Sequence, residues 1–193
     1  MKREHTEEKS FNKIDFNENP LPMGDYEYCS FTACNFSKAD LADSHFISCK
    51  FLGCNLNMAV LTKTTFMDIQ FKECKMLGLF FEHCNPFGLS VSFENCTLTH
   101  SSFYGIGLKK TSFKNSNLQN VDFSECNLSN AVFDNCDLSG AIFKNTTLEK
   151  ANFRSSFGYS IDPQINRIKK ANFSLSGLPG LLEKYDIDID LNL

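Results

Sequence analysis

Residues 111–153 read TSFKNSNLQN VDFSECNLSN AVFDNCDLSG AIFKNTTLEK ANF. A large apolar residue falls at every fifth position: Phe113, Leu118, Phe123, Leu128, Phe133, Leu138, Phe143, Leu148 and Phe153. Reading backwards adds Leu108, Phe103, Leu98 and Phe93. Two positions before each centre stands a small or β-branched residue, such as Cys126, Ala131, Cys136, Ala141, Thr146 or Ala151. The residue between is often Asp or Asn, as at Asp122 and Asn152. A period of five is neither the 3.6 of a helix nor the 2 of a flat strand. Regular self-similarity of this kind marks a repeat architecture.

The N-terminal half keeps the spacing in another phase, with Phe11, Phe16, Leu21, Tyr26, Phe31, Phe36, Leu41, Phe46, Phe51, Leu56, Leu61, Phe66, Phe71, Met76 and Phe81. From Phe81 to Phe93 is two repeats plus two extra residues, so a small insertion is expected at 85–90. Its residues Asn85, Pro86, Phe87, Gly88 and Leu89 form either a binding loop on a rigid scaffold or a tolerated bulge.

This pattern resembles the pentapeptide-repeat family, A(D/N)LXX, in which four pentapeptides make one square coil of twenty residues. The resemblance covers residues 11–156. It implies an all-β fold: a right-handed quadrilateral parallel β-helix of about seven to eight coils, with a short C-terminal helix. Centres twenty apart should then stack. One column becomes Phe11, Phe31, Phe51, Phe71, Phe93, Phe113, Phe133 and Phe153, all Phe, with Phe173 as a ninth member on an irregular last coil. The column through Tyr26, Phe46 and Phe66 breaks at Pro86 before Leu108, so the insertion belongs to it. Coils should rise by about 4.8 Å, the spacing between paired strands, giving a rod about 35 Å long.

The expected organisation is a charged N-terminal tail at 1–10, the repeat array at 11–178, and a capping helix and tail at 179–193. Leu178, Leu181, Leu182 and Tyr185 have helical spacing, with Pro179 suited to a first turn. Ile187, Ile189 and Leu191 alternate with Asp188 and Asp190 as in a strand. Solenoid ends need caps, and the outer side of this one is also a candidate dimer interface.

All nine Cys occupy the small inward slot, where Cys behaves as a small hydrophobe. Cys34, Cys54 and Cys74 stack near enough for a bridge by Cα distance, but a reducing compartment argues against one. The four His are scattered, and no metal or cofactor is expected. No phosphate loop, nucleophile elbow or zinc signature is present, so the chain is not expected to be an enzyme. Net charge of -4 argues against direct, sequence-independent nucleic-acid binding, and the lack of an 18-residue apolar run argues against a membrane span. A soluble, cytoplasmic protein is expected.

Outward slots beside the Leu21-to-Phe143 column carry Asp40, Asp43, Glu82, Asp122 and Glu125 against Lys63 and Lys144. The all-Phe column carries Lys13, Lys50, Lys72, Lys114 and Arg154 against Glu73, Glu94 and Asp134. One side is thus a candidate acidic partner-binding face, or an ordinary solvated surface. The segment 160–187, SIDPQINRIKKANFSLSGLPGLLEKYDI, resembles the C-terminal portion of Qnr-like pentapeptide proteins. That resemblance implies a homodimer joined end to end through the C-terminal helix. It also implies an imitation of DNA that binds DNA gyrase or topoisomerase IV and protects it from fluoroquinolones. The alternative is an adaptor or structural module of the same fold that binds another cytoplasmic protein.

Overall fold

A single pentapeptide buries one large side chain and one small one, too little to hold any structure alone; stacking on the next coil supplies the missing partners. The computed structural model describes residues 3–190 and places the repeat centres in one continuous core. Phe31, Phe51, Phe71, Phe93, Phe113, Phe133 and Phe153 are all buried, and Phe11 is partly so. Their rings stack at 4.7 to 5.5 Å, and Phe173 continues the ladder 5.4 Å beyond Phe153. A second ladder runs Phe81, Phe103, Phe123, Phe143 and meets the first edge-on, as between Phe93 and Phe103 (5.9 Å, 76°). Parallel stacking within a ladder and T-shaped contact between ladders both suit the ring quadrupole.

Two of the four sides carry short parallel strands. On the first lie β2 (Ser10–Asn12), β4 (Ser30–Thr32), β6 (Lys50–Leu52), β8 (Ile69–Lys72), β9 (Val91–Glu94), β10 (Ser112–Lys114) and β11 (Val132–Asp134). On the fourth lie β1 (Glu4–Glu7), β3 (Gly24–Glu27), β5 (His45–Ile47) and β7 (Thr65–Met67). Single-residue parallel bridges connect coils on the second side (Asn35 to Asn55), on the third (Asp122 to Ile142) and on the upper part of the fourth (Asn127 to Thr147).

The corners rest on the residue two past each centre. At most corners it takes a left-handed conformation whatever its type, as at Asp43 (φ 56°), Met58 (57°), Asn130 (60°) and Gly140 (69°); Glu18, Met23, His83 and Ser155 do not. At many corners the chain then closes a turn by donating back to the centre carbonyl, as from Ala39 to Phe36 (2.9 Å) and from Ala59 to Leu56 (3.1 Å). That is the conformation of a type II turn, which favours Gly or Asn at this place.

Three expectations change. Residues 3–10, expected in a charged tail, are not free: Glu4–Glu7 pairs in parallel with Gly24–Glu27. Arg3 is bound to the Asp25 carboxylate (2.9 Å) and to the Asp43 carbonyl (2.7 Å). Thr6 takes the place of an apolar centre here, so apolar periodicity misses this rung. Gly24 permits the close approach, because a Cβ there would meet the Glu4 carbonyl. At the other end, the last rung is the Asn152 to Asn172 bridge, and helical turns start at Leu175, before the expected boundary at 178. Residues Ile187 to Asp190 form no strand, since Asp186 (φ 50°) turns the chain and no rung is paired with it; Leu191 lies outside the described residues.

The insertion is where it was expected. Asn85 still bonds one coil back, its N–H donating to the Thr64 carbonyl and its side chain to Thr65, twenty residues away, while Ile69 aligns with Val91, twenty-two residues on. Pro86 stands at the centre position with no N–H to donate to the next coil. The fourth side's ladder restarts at the Gly107 to Asn127 bridge.

Candidate functional site

The Asp or Asn preceding each centre has a structural task. Its side-chain oxygen accepts the backbone N–H two residues on, as in Asp40 to Ala42 (2.9 Å), Asn55 to Asn57 (3.1 Å) and Asp122 to Ser124 (2.8 Å). Short Asx side chains make this bond readily. Asp40 and Asp122 are therefore turn acceptors as well as surface charges.

The five candidate acids share the third side without forming a continuous stripe. The row through Asp40 and Asp122 also holds Val60, Phe80 and Ile142, each about half exposed. Asp43 stands on a corner beside Asp40, and Arg3 contacts its carbonyl. One carboxylate oxygen of Glu82 is buried with no hydrogen-bond partner, so that group is turned against the rod. Glu125 lies beside Tyr104, and its carboxylate holds the phenol above its usual range. Periodicity placed the five acids on one side; the apolar residues between them lie in outward slots that the charge count passed over.

In the loop, Asn85 accepts the Phe87 N–H (3.1 Å) and Gly88 takes a left-handed φ of 72°. Gly88 lies against Met67, Leu89 packs on the core, and Phe87 is 82% exposed.

At the C-terminal end, α1 (Pro179–Leu182) follows one 3-10 turn and precedes another, with Pro179 in its first turn. Leu181 packs on the core. The Ile161 N–H donates to Gly180 (2.8 Å), and Lys184 is paired with Asp162 (2.7 Å), whose carboxyl this bond and the Gln164 N–H hold below its usual range. Leu178, Leu182, Tyr185, Ile187 and Ile189 remain exposed. Phe157, Tyr159, Pro179, Leu182, Ile187 and Ile189 line a groove of about 740 Å³.

The nine cysteines are unpaired and buried. Several donate Sγ–H to the centre carbonyl of the coil before, as from Cys54 to Phe31 (3.3 Å) and Cys126 to Phe103. Thr64 and Thr146 use their hydroxyls in the same way, to Leu41 (2.8 Å) and Phe123 (2.9 Å). The inward slot thus selects a small side chain, and often one that donates. Burial pushes the thiols of Cys49, Cys84 and Cys126 up to about 12. Among the described residues no group of His, Cys, Asp or Glu side chains is arranged to hold a metal ion, and no helix is long and apolar enough to cross a membrane.

Two family profiles match the chain, "Pentapeptide repeats (8 copies)" over residues 29–68 and "Pentapeptide repeat region" over residues 89–157, together more than half of it. The chain belongs to the pentapeptide-repeat family. Among solved structures, this pentapeptide-repeat protein is similar to full-length QnrB1, described as a plasmid-mediated fluoroquinolone resistance protein. The TM-score is 0.60 at 18% identity, covering 94% of this chain and 99% of that one. HetL, a pentapeptide repeat protein involved in heterocyst differentiation regulation from the cyanobacterium Nostoc, is matched with a TM-score of 0.38 at 15% identity, covering 87% of each chain. At 18% identity the likeness to QnrB1 is one of fold. No curated protein matches in sequence.

Proposed function

We propose that this rod is a non-enzymatic interaction protein of the cytoplasm that binds a bacterial type II topoisomerase, DNA gyrase or topoisomerase IV, and protects it from fluoroquinolones. The observation carrying this reading is the end-to-end likeness to QnrB1, a plasmid-mediated fluoroquinolone resistance protein. The charge supports it in part: Asp40, Asp43, Asp122 and Glu125 lie on one side of a rigid rod, where they can meet the basic DNA-binding surface of such an enzyme. No bond chemistry is involved; the rod competes at the protein–DNA gate. The exposed apolar groove at the C-terminal end supports a homodimer joined end to end. The test is gyrase supercoiling with ciprofloxacin, titrated with the purified protein. Rescue of supercoiling is expected; inhibition without rescue, or no effect, sinks the protection reading.

A second reading, an adaptor for another protein, is favoured by one observation. Val60, Phe80 and Ile142 interrupt the acidic row with apolar surface, which suits a protein partner better than an imitation of a polyanion. An intact rod indifferent to gyrase would favour it.

A further inference from the structure

On three sides of the rod the two signs of charge are mixed. On the first, for example, Glu94 lies between Lys72 (3.7 Å) and Lys114 (3.9 Å) of the neighbouring coils. The fourth side is different, and the difference emerges only when its column is followed through the insertion. From the N-terminus its rungs are centred on Thr6, Tyr26, Phe46, Phe66, the Pro86 loop, Leu108, Leu128, Leu148 and Ile168. The lower rungs carry Glu7, Glu8, Asp25, Glu27 and Asp68, of which Asp25 is already paired with Arg3 (2.9 Å). The upper rungs carry Lys109, Lys110, Lys150, Arg167, Lys169 and Lys170, all exposed, against the single acid Glu149. None of these six cations has a carboxylate partner within ion-pair distance among the described residues. Between the halves lie three apolar side chains, the half-buried Ile47, Met67 and the highly exposed Phe87.

We propose that this side is a self-complementary surface on which a second copy of the chain docks antiparallel. A two-fold axis lying in the contact plane, perpendicular to both rods, reverses the order of rungs and keeps each lateral position, as an isologous contact requires. The loop is the middle rung, so Phe87 meets its own copy on the axis. Glu7 and Glu8 then face Lys169 and Lys170 of the second copy, and Asp68 faces its Lys110. Glu27 falls opposite Glu149, with Lys150 and Lys169 of the second copy flanking it. A parallel arrangement would instead set acid on acid at one end of the side and base on base at the other.

The contact is narrow. Nine rungs at about 4.8 Å span about 38 Å, and the outward positions of one side span about 10 Å, so the total buried area is on the order of 800 Å². That is below the usual range for a stable interface, and its attraction is chiefly between exposed charges, so the association is weak and salt-sensitive.

The same 38 Å makes the test decisive, because Glu8 and Lys170 of one rod are too far apart to be joined directly. Equal amounts of unlabelled and ¹⁵N-labelled full-length chain are treated with a carbodiimide, which couples a carboxylate to an amine without a spacer, and the products are read by mass spectrometry. The experiment uses both the wild type and Leu182→Asp, which disrupts the end-on groove, so that end-on dimerisation and lateral docking are scored separately. Light–heavy hybrid peptides joining Glu7 or Glu8 to Lys169 or Lys170 are expected in both proteins, several-fold fewer at about 500 mM than at about 50 mM salt. The pair Lys169→Glu and Lys170→Glu should abolish lateral docking, and mixing that variant with Glu7→Lys/Glu8→Lys should restore it as a heterodimer. Both variants must keep the circular dichroism of the wild type. Absence of the hybrid peptides, their insensitivity to salt, or failure of the charge-swapped pair to associate would overturn the proposal.

Discussion

Phe71 and Phe93 stack at 5.5 Å and 10° although they are 22 residues apart, whereas Phe51 and Phe71, like Phe93 and Phe113, stack at a separation of 20. The ladder therefore passes the insertion without losing register, and the two extra residues are taken up between Asn85, which still bonds Thr65, and Val91, which aligns with Ile69. A solenoid tolerates this because one broken rung on one side leaves three sides paired.

Two Phe only sixteen positions apart should accordingly respond in opposite ways. Phe71→Ala removes a buried ring between two others and is expected to cost about 3–5 kcal/mol in denaturant unfolding. Phe87→Ala should leave the unfolding midpoint unchanged, since that ring is largely in water. An equal loss for both would contradict the placement of the insertion.

Corner residues offer a stability change that touches no core contact. Met58 is exposed at φ 57°, so Met58→Gly should relieve about 1 kcal/mol of left-handed strain and raise the melting temperature. Gly140→Ala should do the reverse, because it adds that strain and sets a Cβ against Asn120. Thermal melts of the two variants beside wild type are sufficient.

Charge and turn function at Asp40 and Asp122 separate by choice of substitution. Asn keeps the oxygen that accepts the N–H of Ala42 or Ser124, whereas Ala loses it at a cost of about 1 kcal/mol. The double variant Asp40→Asn/Asp122→Asn should fold like wild type yet lose potency in the supercoiling assay. Full potency in that folded variant would remove these two carboxylates from the acidic-face reading.

The thiols give the rod an alkaline limit. An unfolded Cys ionises near 9.0, while Cys49, Cys84 and Cys126 ionise only near about 12 in the folded rod. Raised folded values mean that their contribution to stability is complete below pH 9 and is lost as pH rises from about 9 to about 12. Unfolding free energy should fall across that window, and Ellman's reagent at pH 8 should find no reactive thiol until denaturant is added.

The C-terminal cap depends on two close approaches. Gly180 lies against the Tyr159 carbonyl and Gly177 against the Tyr159 hydroxyl, with no space for a Cβ at either. Gly180→Ala should displace the cap and break the Ile161 to Gly180 bond, seen as faster amide exchange at Ile161 with the lower coils unaffected.

Column membership is readable in the sequence because nearly every centre enters the same core and periodicity reports burial directly. The nine inward cysteines were legible for the same reason. What periodicity could not carry were features held by polar groups. Thr6 hides the first rung, the Asx turn acceptors resemble surface charge, and Ile187 and Ile189 alternate like a strand although no edge pairs with them.

The linear chain by itself therefore determined the square coil, its Phe ladder and the site of its one interruption, since these follow from which side chains leave water. Only the tertiary structure decided what the outer surface presents. Two charges twenty residues apart become neighbours or not according to how the loop after Pro86 carries the register. The acidic row on the third side is thus broken by Val60, Phe80 and Ile142, while the fourth side divides into a mainly acidic and a mainly basic half.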